Sequence, residues 1–426
     1  MESQNQLPST QFLVKGTSFL RTCINGINAL SGVGILSIPF ALSQGGWVSL
    51  ILLLMVSIIC CYTASLLTHC MDANPLMVRS YPDIGGLAFG YKGRILVSVF
   101  VYLELYLVAV EFLILEGDNL EKLFPSSSPL FGLKIGSLDQ VDHERMMNYK
   151  KMYMILSAVL ILPTTWVKNL GSLAYVSFGG VLASIILVLC VGWIGATDHG
   201  FGFNQRSDND HHRVLNLHGL PTTISLFVFC YCGHSVFPML CNSMKNRTQF
   251  SKVLIVCFVA STLSYGSMGV LGYYMYGDDI KSQVTLNLPV NKISTKLAIY
   301  TTLINPITKY AAITNPIAIA IEDSISPNYF FITQKIAILI RTLLLITTLI
   351  LALFIPFFAY VMAFTGSFLS VTTSILIPCL CYLKINKSAR QFGWELILIV
   401  AILVLGVFVG VLGTCSSINQ IVKRLS

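Results

Sequence analysis

Charge is what this chain has least of. Of its 426 residues, 11% are Asp, Glu, Lys or Arg against 55% hydrophobic, and the mean hydropathy is +0.75. A soluble domain of this length does not keep itself in solution with so few charges, so the composition describes a polytopic membrane protein. The formal charge of +8 does not argue for nucleic acid as a partner. No basic run of five or more residues exists, and the cations fall in short loops between apolar stretches, where membrane lipid is the natural neighbour. Cysteine is absent from the long loops after Asp118 and after Ala196. Most of the twelve lie within apolar segments (Cys60, Cys61, Cys190, Cys230, Cys232, Cys379, Cys381), so no disulfide framework is implied. A nucleophile elbow and a metalloprotease helix are also lacking, which disfavours an enzyme. No signal-peptide cleavage pattern precedes Thr17, and the apolar segment behind it is long enough to stay in the membrane as an anchor.

What is present is a series of apolar windows of about 20 residues, each long enough to span a bilayer. About eleven can be drawn, at 17 to 43, 46 to 70, 94 to 117, 147 to 165, 170 to 196, 219 to 242, 250 to 276, 293 to 320, 333 to 354, 357 to 383 and 394 to 415. The basic residues of the short loops fall on one side: Lys15, Arg21, Arg79, Lys92, Arg94, Lys168, Lys245, Arg247, Lys252, Lys335, Lys384, Lys387 and Arg390. That side is expected to be cytosolic, and the N-terminus with it; Lys423 and Arg424 dissent. The triplets Asn246-Arg-Thr and Asn386-Lys-Ser then sit in the cytosol, where they stay unglycosylated. Tyr81 to Arg94, YPDIGGLAFGYKGR, is too polar to span and reads as a cytosolic interfacial helix.

Two of the windows are built to break. In the first, LSGVGILSIP from Leu30 to Pro39, Gly32 and Gly34 each weaken a helix by about 1 kcal/mol, and Pro39 leaves the carbonyl of Ile35 without its partner. An unwound turn near Ser31 to Gly34 follows. In the sixth, FVFCYCGHSVFP from Phe227 to Pro238, Gly233 and Pro238 repeat that logic among the small or polar residues Cys230, Cys232, His234 and Ser235. Non-helical backbone is tolerated at membrane depth only where it lines a protected cavity, and paired broken helices mark secondary transporters. Breaks five windows apart suggest two five-helix repeats, about 17–196 and 219–383, with a last helix at 394–415 outside them and short tails at 1–16 and 416–426.

LSGVGILSIPFALSQGGW, VYLELYLVAVEFLILEGDNLEKLFP, FCYCGHSVFP, VTLNLP at 284 to 289 and NPITKYA at 305 to 311 together resemble the amino acid/auxin permease family, in its plant vacuolar amino acid transporter branch. The resemblance runs from about residue 17 to 415. It implies an all-α, LeuT-like inverted repeat of five plus five helices with an eleventh added. It also implies proton-coupled transport of neutral amino acids at the vacuolar membrane, as antiport into the vacuole or, without proton exchange, export from it. An amino-acid sensor using the same pocket without turnover is the rival reading.

An amino acid offers a carboxylate and an ammonium. The half-helix start at Gly32, Val33 and Gly34, next to Ser31, is expected to hold the former through free amides and the helix dipole. Carbonyls near Ile27 to Ala29 and Phe229 to Cys232, with Tyr231, Gly233 and His234 beside them, are candidates for the latter. The alternative is that these glycines only permit close helix packing. Glu104 and Glu111, seven apart on one helix face, are proton-site candidates because buried acids in a membrane are costly; the alternative is a structural cluster or a pair with Lys309. In sodium-coupled relatives of the superfamily a cation lies between spans one and eight, and the Lys309 ammonium can replace it; otherwise Lys309 snorkels to the interface. His234 with Cys230 and Cys232 lacks a fourth ligand, so neither a metal nor any other cofactor is expected; His234 reads as a hydrogen-bonding or protonation site. His199, His211 and His212 read as solvated. Pro39, Pro238 and Gly366 are hinge or gate positions, Asn305 and Asn315 mark bends, and Thr308 and Tyr310 are expected to face the pocket.

Overall fold

The computed structural model describes residues 16–75, 77–125, 143–166, 173–198, 213–325 and 334–425. Lys15, Lys168, His199, His211 and His212 lie outside the described residues. Helices stand at every one of the apolar windows. They are α1 (Phe19–Leu30), α2 (Ile38–Gly45), α3 (Ser49–Asp72), α4 (Tyr81–Leu123), α5 (His143–Thr165), α6 (Leu173–Asp198), α7 (Leu220–Cys230), α8 (Phe237–Ser243), α9 (Phe250–Tyr276), α10 (Ile293–Ile325), α11 (Gln334–Phe354), α12 (Phe358–Phe364), α13 (Ile377–Ile385) and α14 (Trp394–Leu425). Among the described residues, seven helical stretches are long and apolar enough to cross a membrane by themselves, and an eighth is the bent pair α1 and α2. The windows carried by α5, α7 with α8, and α10 fall short of that standard, the second because it is broken and the third because Asn305, Lys309 and Asn315 lower its hydropathy.

Both breaks form where Gly and Pro weaken the helix. α1 ends at Leu30, a 3₁₀ turn runs Val33–Ser37 into α2, and the second half, Val33–Gly45, lies at 47° to α1. α7 ends at Cys230 and α8 starts only at Phe237. Pro39 and Pro238 each occupy the first turn of the second half-helix, where the missing amide would have had no intrahelical acceptor. A third irregularity lies in window ten, where α12 passes into π-helical turns at Thr365–Ser370 and Thr372–Leu376 before α13. The 43 residues of α4 would make a rod of about 65 Å, twice the hydrocarbon thickness. Gly90, at φ +69°, folds its first two turns back instead, so that Gly85 and Gly93 meet backbone to backbone. Tyr81 to Phe89 is therefore a separate short helix, as the polarity of that stretch implies.

The loops gather at the two ends of the bundle. Thr17 pairs with Ser243 and Lys245 (N to O, 2.8 and 3.0 Å), and Asn242 donates to the Arg79 carbonyl (3.1 Å), which gathers the start of α1, the end of α8 and basic residues at one end of the bundle. At the other end Trp47 donates to the Arg213 carbonyl (3.1 Å), and Arg213 pairs with Asp278 (2.8 Å). Here the connection between α9 and α10 folds over the bundle as a lid. Ser37 donates to the Ser282 carbonyl (2.8 Å). Gln283 donates to Asp118 (2.8 Å) and accepts from Asn119 (2.6 Å), while Lys150 pairs with Asp118 (2.5 Å) and donates to the Pro356 carbonyl (2.7 Å).

The Asp118–Lys150 pair is nearly buried, so removing one partner leaves an uncompensated charge. Lys150→Met is expected to destabilise the protein by about 3–5 kcal/mol, and adding Asp118→Leu to recover part of that loss. Thermal unfolding of the three variants in one detergent checks the order.

Candidate functional site

The two breaks touch. A Cβ on Gly34 would stand 2.6 Å from Cys230 Sγ and 3.4 Å from Cys230 Cα, and one on Gly233 would stand 3.0 Å from Leu30 Cδ2. Ser31, Val33, Gly34, Cys230, Tyr231, Gly233 and His234 are all buried there, and Gly32 is half-buried. The amides divide unequally. Gly32 N already donates to the Leu30 carbonyl (2.7 Å), so the free donors at the start of the 3₁₀ turn are those of Val33 and Gly34.

The carbonyls divide too. Ile27 O accepts from Ser31 N (2.6 Å) and Phe229 O from Cys232 N (3.1 Å). Asn28 O and Ser31 O accept from Lys309 Nζ at 3.2 and 3.4 Å. Of the acceptors expected for an ammonium near Ile27 to Ala29, one is used by the backbone and one is held by a resident lysine. Leu30 O and Cys230 O, the last carbonyls of α1 and α7, are instead bridged by one phenol: Tyr265 OH lies 2.5 Å from the first and 3.0 Å from the second. Tyr265 is on α9, and nothing in its apolar surroundings marks it in the sequence as anything but a packing aromatic. It is held edge-on by Tyr231 (5.4 Å between centroids), whose own hydroxyl meets Thr262 (2.8 Å).

Lys309 is buried and does not snorkel, and among the described residues it forms no ion pair. Gly180 on α6 makes room for it: a Cβ there would press on Asn28 and come within 3.4 Å of Lys309 Cε. One helical turn along α10, Asn305 borders a cleft of about 20 Å³ shared with Gly32, Val33, Ser184 and Thr302, room for about one water. Thr308 and Tyr310 face elsewhere. Thr308 is exposed and bonds the carbonyls of its own helix, because its hydroxyl has no other partner on that outer face, and Tyr310 OH meets Thr348 on α11 (2.5 Å). Asn315 accepts from Arg341 (3.2 Å).

Glu104 and Glu111, 2% and 0% exposed, line the α4 face that meets the π-helical turns. Glu104 accepts from Ser370 (2.7 Å), Thr373 (3.0 Å) and the Cys232 thiol (2.8 Å), which ties it to the second break. Glu111 Oε1 accepts from Thr365 (2.8 Å) while Oε2 has no partner. Neither acid pairs with Lys309; both belong to hydroxyl clusters. Gly366, between these hydroxyls, lets window ten lie on the Ser225 backbone of α7. His234 sits in the break with Nε2 3.0 Å from Thr63 Oγ1, Nδ1 unpartnered and its ring against Phe237.

Because the Gly34 contact is so close, Gly34→Ala is expected to cost about 1–3 kcal/mol of stability. Cys230→Ala should relieve most of that cost in the double variant, and a double-mutant cycle on unfolding temperatures reads the coupling.

The family described as transmembrane amino acid transporter protein matches residues 15–419. The chain is 46% identical over 410 residues to amino acid transporter AVT1I of Arabidopsis thaliana, covering 96% of each. It is 34% identical to AVT1H of the same plant, over 100% of this chain and 96% of that one. A vesicular inhibitory amino acid transporter of Xenopus tropicalis is 24% identical over 94% of this chain and 76% of its own. Among solved structures, a Na⁺-coupled sialic acid symporter in a substrate-bound, outward-open state superposes with a TM-score of 0.51 at 13% identity, over 93% of this chain and 89% of that one, which shows the shared LeuT-like fold. A chain matched over nearly its whole length in this way is a multi-pass membrane protein of the transmembrane amino acid transporter family, the amino acid/auxin permeases.

Proposed function

We propose that the protein is a secondary active transporter that moves neutral amino acids by alternating access, with protons as the coupling ion. The observation that supports this reading is the contact between the two interrupted helices, where the amides of Val33 and Gly34 and the terminal carbonyls Leu30 O and Cys230 O lie. A zwitterion suits such a seat. Its carboxylate takes the amides at the positive end of a helix, and its ammonium takes the carbonyls. The charged groups bonded at the junction, Lys309 and Glu104, are each engaged with their own partners, so substrates with an uncharged side chain are favoured. Ser31, Gly32, Tyr231, Gly233 and His234 form the walls. Pro39 and Pro238 fix the half-helices about which the seat opens, and Gly366 allows window ten to slide past α7. The halves 17–196 and 219–383 are the two repeats.

Lys309 supports proton rather than sodium coupling. Its ammonium rests on the Asn28 and Ser31 carbonyls beside the first break, where it supplies a fixed cation between windows one and eight. Glu104 and Glu111 are the remaining carriers, since each is buried among hydroxyls that can relay a proton along the contact of α4 with window ten. Basic loops at the end that holds Thr17 support a cytosolic N-terminus. With an acidic vacuolar lumen, proton exchange loads the vacuole.

Reconstitution tests the reading. Counterflow of radiolabelled glutamine, tyrosine and isoleucine in proteoliposomes is expected to show flux that follows an imposed pH gradient; binding without flux would make the protein a sensor instead. Lys309→Met is expected to reduce proton-driven uptake at least tenfold while the protein still reaches the membrane. Full pH-driven uptake in that variant would remove Lys309 from coupling.

A further inference from the structure

The Tyr265 phenol has one proton and two acceptors, the last carbonyls of the two first half-helices, which come from segments about 200 residues apart in sequence. At 0% exposure it has no water to share them with. Among the described residues no backbone amide donates to the Cys230 carbonyl. The Leu30 carbonyl has in addition only the Gly32 amide, in a tight two-residue turn. These two are also open to a substrate ammonium, unlike Ile27 O and Phe229 O, which accept from the backbone, and Asn28 O and Ser31 O, which accept from Lys309. Substrate and phenol therefore want the same two oxygens.

We infer that Tyr265 is a positioning residue that stands in for the substrate ammonium: its hydroxyl ties the two breaks together in the empty carrier and yields them to the amino acid on binding. The inference rests on the substrate seat proposed above. Its physical content is that a carrier must close twice per cycle, once loaded and once empty. When it is loaded, three ammonium protons satisfy the carbonyls. When it is empty, two bare carbonyls would meet in a dry interface, and burying polar groups without partners opposes that closure. The phenol removes the obstacle. The surroundings are built to hold it: Tyr231 packs edge-on against the Tyr265 ring, and the Tyr231 hydroxyl is anchored on Thr262, which also meets Ser57 on α3 (2.7 Å). Because the competition is for acceptors, removing the hydroxyl should also leave them freer for the substrate.

The experiment compares two modes in the same proteoliposomes, net uptake into empty vesicles and exchange into vesicles preloaded with the same amino acid, for wild type, Tyr265→Phe and Thr262→Val. Net uptake needs the empty carrier to return; exchange does not. Tyr265→Phe is expected to lower net uptake about tenfold, to keep exchange within twofold of wild type and to lower the apparent KM for exchange several-fold. Thr262→Val, which unhooks Tyr231 and so loosens the aim of Tyr265, is expected to shift the ratio of net uptake to exchange the same way by a smaller factor. An unchanged ratio in Tyr265→Phe, or equal losses in both modes, overturns the inference. Should that variant fail to accumulate, an unchanged ratio in Thr262→Val overturns it instead. Absence of amino acid flux in wild type in either mode would contradict the transport reading itself, an outcome distinct from these.

Discussion

A peptide group stripped of its helical partner in an apolar interior must find another one, and the centre of this molecule is arranged around that requirement. The interruptions of α1 and α7 leave the carbonyls of Asn28, Leu30, Ser31 and Cys230 without a helical partner, each worth about 1–3 kcal/mol if left bare. Two side chains from later in the chain answer them. Lys309 takes Asn28 and Ser31, and Tyr265 takes Leu30 and Cys230. Small residues then serve these contacts: Gly180 makes room for the lysine, and Gly34 lets the two breaks close on each other.

Around this centre, α4 carries a line of acids at sevenfold spacing whose surroundings change along its length. Glu104 bonds the second break through the Cys232 thiol, Glu111 bonds the π-helical turn through Thr365, and Asp118 bonds the lid through Gln283 and α5 through Lys150. The three carboxylates thus bond three different parts of the structure. Hydroxyls rather than cations satisfy the inner two, which leaves them free of the fixed charge that holds Asp118. The π-helical turns beside them are a less stable form of helix than their α-helical flanks, in keeping with a segment that shifts register.

The architecture is legible in the sequence to the extent that it is written in local chemistry. Glycine and proline mark both breaks to within a residue or two, hydropathy marks the windows, and the polarity of Tyr81 to Arg94 marks the short helix folded back at Gly90. What is written in long-range contacts is not legible. Tyr265 looks like any aromatic in an apolar helix until its partners, 235 and 35 positions away, are known. Lys309 allows an ion pair, a snorkelling chain or a carbonyl cradle, and only the position of α1 chooses the last. Gln283 gives no signal for its place in the lid, and Thr308 looks like a pocket hydroxyl until the rotation of α10 turns it outward.

The central claim is that an amino acid binds where the interrupted helices meet. Hydrogen–deuterium exchange of the purified protein, with and without saturating glutamine, tyrosine or isoleucine, tests it directly. The account predicts that at least one of these slows exchange of the amides of Val33 to Ser37 and Tyr231 to Val236 together. Protection confined to other helices, with both breaks exchanging as before, would contradict it.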